Sequence, residues 1–280
     1  MTEFLYFEPL LDAIRNGYPG RDVHFGLWNC NPPNLTFSAA QENLTREVVS
    51  RLGITKGERV LDLGCGVGGT MKWINSHFTN VHITGINSSI QQLEICKELV
   101  PIAGNSIDLR LGDACKFKHE QTFDKIVCLE AMFHFDSRRE CLQRMYTALR
   151  PGGTFVGTDI LFTRGNIPEG DFDDLIKTLQ FGYGPWPQPE LSVDELVAML
   201  SCCGFIDVSC TEVTKETIST HEFTAPRGLA WDDATTKDSE PLLGAACALR
   251  TLHHQKALSY VLVSATRPVS SSAEPMELQV

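Results

Sequence analysis

Residues 57–70, GERVLDLGCGVGGT, decide the fold. The first half is a short apolar run over Arg59–Leu63, and the second places glycines at 64, 66, 68 and 69. A strand that runs into glycines and then into a helical pattern marks a turn where backbone passes close beneath a ligand, because Cβ atoms there would collide with it. Gly64, Gly66 and Gly69 satisfy G-x-G-x-x-G, the signature of a dinucleotide-binding turn. Two neighbours argue against that ligand. Asp62 lies two residues before the first glycine, and the next apolar run ends ITGINSS, with Asn87 where a dinucleotide binder places its ribose-binding acid. Asp62, Gly64, Gly66 and Gly68 instead spell D-x-G-x-G-x-G.

Outward from this turn, short β-rich runs alternate with amphipathic helical segments. The runs cover residues 59–63, 81–86, 107–111, 125–129 and 154–161, with further strand candidates at 205–213 and 258–265. Strands separated by helices imply parallel pairing, so the expected fold is α/β, a doubly wound, mostly parallel sheet of seven strands. Residues 1–55 read as an N-terminal helical cap, with Leu44, Val48 and Leu52 at helical spacing and Gly53 as the stop. Residues 56–161 form the ligand-binding core, and 162–190, rich in Gly, Pro and aromatics (FGYGPWPQPE), read as a lid loop. Residues 191–266 return to the sheet through a helix whose Ser192 and Glu195 have capping-box spacing. The tail, 267–280, has the composition of a disordered segment.

The chain has 280 residues and a net charge of −11, which argues against nucleic acid as a partner, since phosphate contacts need clustered Lys and Arg. No apolar run reaches the roughly 18–20 residues of a membrane span. Glu3 and Glu8 sit where a secretory signal carries positive charge. Ten cysteines occur without C-x-x-C spacing, so neither a zinc site nor a disulfide framework is expected, and Cys65, Cys96, Cys128 and Cys141 read as small hydrophobes. A cytoplasmic protein acting on a small molecule is the expectation.

VLDLGCGVGG, the section RLGDACKFKHEQTFDKIVCLEAMFHF and the later ALRPGGTF together resemble the class I S-adenosylmethionine (SAM)-dependent methyltransferases, in their small-molecule, natural-product-tailoring branch. The likeness runs from about residue 20 to about residue 210 and includes an aromatic N-terminal segment, VHFGLWN. It implies a Rossmann-like core that binds SAM and releases S-adenosylhomocysteine (SAH). By the same likeness Asp62, Gly64, Cys65, Gly66 and Gly68 run under the methionine part of the cofactor. Asn87, a departure from the family's usual acid, and Gln92 serve the ribose. Asp113 and Ala114 serve the adenine, although Asp113 after Gly112 also reads as a turn residue. Leu129 and Glu130 end the fourth strand at the carboxyl edge, where open α/β sheets bind ligands.

His134, between Phe133 and Phe135, falls just beyond that edge. A neutral imidazole there is a suitable acceptor for the proton that a hydroxyl sheds on methylation, and apolar neighbours keep it neutral. Asp159, ending the fifth strand, is the expected carboxylate partner. In the sugar O-methyltransferases it resembles, a His–His pair stands at 133–134 and an Asp at 159; Phe133 here implies an acceptor with an apolar portion. The alternatives are a structural histidine, and N- or C-methylation by proximity and desolvation. Asp136 reads as an N-cap. Tyr18, Phe25, Trp28, Phe181, Tyr183 and Trp186 read either as a cover over substrate or as staples. The remaining histidines are assigned no function, and no metal is expected.

Overall fold

The computed structural model describes residues 8–16, 20–28, 35–118, 122–225 and 240–269. Tyr18 and the tail from 270 onward lie outside these residues. The elements are α1 (Glu8–Arg15), α2 (Phe37–Leu52), β1 (Arg59–Leu63), α3 (Gly69–His77), β2 (His82–Asn87), α4 (Ile90–Cys96), β3 (Ser106–Leu111) and β4 (Phe123–Cys128). They continue with α5 (Arg138–Ala148), β5 (Leu149–Phe162), α6 (Glu169–Tyr183), α7 (Val193–Cys202), β6 (Ile206–Glu212), α8 (Thr214–Thr217), α9 (His221–Thr224), α10 (Glu240–His254) and β7 (Leu258–Thr266).

All seven expected strands form one sheet, ordered β3-β2-β1-β4-β5-β7-β6. The first five are mutually parallel, and β7 runs antiparallel between β5 and β6. The chain reverses its winding direction between β1 and β4, which makes the carboxyl ends of those strands the switch point where such sheets open a crevice. Successive residues of the central strands feed opposite faces. Val60, Val127 and Val156 join one buried cluster, whereas Leu61, Ile126 and Phe155 join the other.

Several expectations need correction. The cap is not helical throughout: an extended strap, residues 20–28, crosses between α1 and α2. The lid is not a loop, because α6 occupies half of it. Phe172, Ile176 and Leu179 recur at helical spacing and are buried. Glu169 and Asp171 lie in its first turn, where acids suit the helix dipole. The N-cap of α5 is Ser137, whose side chain accepts from the Glu140 backbone, and not Asp136. The capping box at Ser192 and Glu195 forms as expected. Arg267, assigned to the disordered tail, is anchored: its Nη1 donates to the carbonyl of Tyr146 at 3.1 Å, and its own carbonyl accepts from Gly152 at 2.8 Å.

Candidate active site

A cavity of 1370 Å³ opens at the switch point. That exceeds the roughly 300–1,000 Å³ typical of one small-molecule site, so it has room for two ligands side by side. The β1 end supplies its floor. Gly64 and Cys65 donate their backbone N–H to the Ile86 carbonyl at 2.8 and 3.2 Å, folding the turn back against β2. Gly64 adopts φ +78°, and a Cβ there would come within 2.5 Å of the Ala131 Cβ. The glycine turn and the segment after β4 are therefore packed backbone to side chain, and only glycine fits. Gly68 does not line the cavity. It caps α3 from behind, with Leu99 and Cys96 where its Cβ would be.

Asp62 is 2% exposed on this floor, and its Oδ2 has no hydrogen-bond partner. Burial pushes its carboxyl up to about 7. A desolvated acceptor without a donor is costly in a native fold and indicates a site for a polar ligand group, here one that donates. Beside it, Asn87 donates through Nδ2 to Gln92 Oε1 at 2.6 Å, and Ser89 caps α4, so two amides stand joined where the ribose binders were expected. Asp113 serves a turn as well as the cavity wall: its Oδ1 accepts from the Cys115 backbone at 2.8 Å and its Oδ2 from Lys116 at 3.0 Å. Ala114 and Leu129 line the same wall.

Glu130 is the most constrained residue of the site. Its φ is +48°, left-handed backbone that a non-glycine residue rarely holds, and its N–H donates to Thr158 Oγ1 at 2.9 Å. The carboxylate Oε1 accepts from the Phe25 backbone at 2.6 Å and from the Tyr260 hydroxyl. Desolvation raises its pKa, against the charge of His24 and these two donors. The strap that carries Phe25 also carries His24, whose Nε2 lies 3.3 Å from Asp22. Burial works against the charged His24 ring, but the Asp22 hydrogen bond and charge, with Glu130's charge, leave its pKa raised. His24 thus has the carboxylate company that the sequence did not reveal, and both Asp22 and His24 line the cavity.

His134 lines the same cavity, in a single 3₁₀ turn over Met132–His134. Its Nδ1 is 2.7 Å from the Pro185 carbonyl. Since a carbonyl only accepts, Nδ1 carries the proton and Nε2 keeps its lone pair in the neutral ring. Desolvation, with Arg138's charge, lowers its pKa to about 4. Phe133 stacks on Trp186 with ring centroids 4.0 Å apart, and the edge of His134 meets that same indole.

Asp159 is not the partner of His134. It is fully buried and bound by Arg138, with Nε donating to Oδ2 at 2.7 Å and Nη2 to Oδ1 at 3.3 Å. Arg138 also donates to the Gln188 carbonyl at 2.7 Å, so this ion pair fastens the segment after α6 to the sheet. Phe25, Trp186 and Tyr183 do line the cavity, which Trp28 and Phe181 do not. Among the described residues there is no His, Cys, Asp and Glu grouping able to hold a metal.

Residues 60–153 match the family described as a methyltransferase domain. The O-methyltransferase rstn1 of Aspergillus nomiae is 30% identical over 222 residues, covering 76% of this chain and 91% of that protein. The chain belongs to the class I SAM-dependent methyltransferases. The O-methyltransferase resE of Aspergillus sclerotiorum is 29% identical over 276 residues, 93% of this chain and 94% of that one. Among solved structures, the [4+2]-cyclase SpnF shares the fold with a TM-score of 0.73 at 22% identity, over 95% of each chain. SAM is the cofactor, and the methyltransferase has the groups to hold it. The unpartnered Asp62 oxygen suits its ammonium, and the Gly66 position, where a Cβ would meet only Val23 at 3.8 Å, leaves backbone open to a ligand. No helix among the described residues is long and apolar enough to cross a membrane.

Proposed function

We propose that this methyltransferase methylates a hydroxyl of a small natural product, polyketide- or sugar-containing, and that His134 receives the hydroxyl proton. The carrying observation is the imidazole held through Nδ1 by the Pro185 carbonyl, which leaves the Nε2 lone pair in an apolar part of the cavity. SAM supplies an activated methyl and a leaving group that departs neutral. The chain's own work is alignment, exclusion of water and proton uptake. Acceptor oxygen becomes strongly acidic as its bond to carbon forms, so an imidazole with a pKa lowered to about 4 is basic enough to take the proton late in the step. Pro185 fixes the tautomer, the part expected of Asp159. The acceptor lies against Phe133, Trp186 and Ile160, which call for an apolar portion. The O-methyltransferase names of the two fungal relatives support the same reading.

The second reading, N- or C-methylation, has one observation in its favour. Phe25, Phe133, Phe135 and Tyr183 put several aromatic rings on the cavity wall, a lining that suits a cation. Transfer of labelled methyl to a panel of hydroxyl, amine and alkene acceptors separates the two. In His134→Ala, labelling of a hydroxyl acceptor falls by about 10²-fold while SAM affinity is kept. Full retention of rate would remove His134 as the proton acceptor.

A further inference from the structure

The cavity wall is strongly acidic. Asp22, Asp62, Asp113, Glu130 and Asp136 line it, against one guanidinium, Arg21. Arg21 is already committed, donating to the carbonyls of Val67 at 3.2 Å and Ile95 at 2.9 Å and pairing with Glu98. Asp113 has Lys116 and Asp22 has His24. Asp136 has no cation either but is exposed to solvent, which leaves Asp62 and Glu130 as the two sheltered acids with no cation of their own. His24 partly offsets Glu130 but is shared with Asp22. Protein donors to the Glu130 side chain, Phe25 N–H and Tyr260 OH, both go to Oε1. Ionising two such carboxyls in a desolvated cavity is expensive unless the ligand brings positive charge. SAM carries two cations, an ammonium and a sulfonium, and SAH keeps only the ammonium.

Position assigns the second carboxylate. Ala131 packs against Gly64 of the cofactor turn, and His134 ends the 3₁₀ turn that follows, so the segment 130–134 joins the cofactor floor to the acceptor wall. Glu130 stands at the start of that segment in strained backbone that restricts where its side chain can go. We propose that Glu130 reads the charge on the cofactor sulfur: its carboxylate faces the sulfonium, so that the cavity holds SAM in preference to SAH. Such an interaction favours the bound reactant over the transition state, where the positive charge is already dispersing, and so it does not speed the chemical step. Its gain is in exchange. Once the methyl has left, sulfur is neutral, Glu130 loses its counter-charge, and SAH is held less tightly. The inference rests on SAM as cofactor and on the acceptor lying on the His134 side, whereas its binding test needs no acceptor.

Binding of SAM, SAH and sinefungin, which carries an ammonium in place of the S-methyl, tests this by calorimetry on wild type and Glu130→Gln. The amide keeps an oxygen for Phe25 and Tyr260 while removing the charge. SAM and sinefungin should weaken by about tenfold and SAH by less than about twofold. Glu130→Asp should restore part of the difference. Equal weakening of all three ligands, or none, would overturn the proposal and leave Glu130 as a latch for the strap. If Glu130→Gln does not fold, wild type decides: SAM and sinefungin tighter than SAH supports the proposal, and SAH equal or tighter overturns it.

Discussion

Asp62 shows how one atom links stability to binding. Burial drives its carboxyl up to about 7, so in the cofactor-free protein the fold favours the neutral acid. That contribution is complete below the ordinary value of 3.8 and is lost as pH rises through about 7. Asp62→Asn removes the titration. At pH 8 the cofactor-free variant should melt higher than wild type by about 3 °C, while its SAM affinity falls by about tenfold. Thermal melts with and without SAM test both halves, and a variant that loses stability at pH 8 would contradict the first. His134 behaves oppositely. Its pKa is lowered to about 4, so the ring is neutral well below pH 7 and the His134 limb of the turnover profile should lie near pH 4.

At the scale of elements, the segment 184–190 is held by charge and the sheet by pattern. The Arg138–Asp159 pair is wholly buried and joins α5, the end of β5 and the 184–190 segment through Gln188. Arg138→Leu leaves an uncompensated carboxylate and should cost about 3–5 kcal/mol in a denaturant melt. Adding Asp159→Leu should recover most of that, because an apolar pair of similar volume replaces both charges. Failure of the double variant to recover would mean that the pair also defines the geometry of the lid. The sequence reveals these elements unevenly, for physical reasons. The strands were legible because β-runs alternate with helices and because glycines mark the β1 turn. The helix α6 was obscured by the Gly, Pro and aromatic residues after it, although Phe172, Ile176 and Leu179 carry its period. Arg138 sits in SRRECLQR, which reads as a solvated face, and nothing local distinguishes it from the exposed Arg139 beside it. Its partner lies 21 residues away in the chain, a pairing that only the packed sheet creates. The glycine turn could be placed from spacing. The direction in which Glu130 turns could not, because it depends on Phe25 and Tyr260, more than a hundred residues away on either side.

Across the whole molecule, the cavity is built on one sheet edge and walled by one strap, residues 21–25. That strap is tied at two points: Arg21 reaches Val67 in the glycine turn, and Phe25 reaches Glu130 just after β4. Gln41 holds its middle through the carbonyls of Asp22 and His24, at 2.9 and 2.8 Å, and Gly26 donates to Thr220 Oγ1 at 3.0 Å. A wall common to both compartments makes the sequence of arrivals matter. Acceptor seated first would brace the strap across the cofactor's way in, whereas cofactor seated first leaves the acceptor side open. Steady-state kinetics should therefore show compulsory order, with SAM on first and SAH off last, and SAH competitive against SAM alone. Initial-rate patterns indicating random addition would mean that the strap yields independently at its two ends. Under compulsory order the ratio of SAM to SAH around the enzyme, more than the abundance of acceptor, sets the pace of turnover.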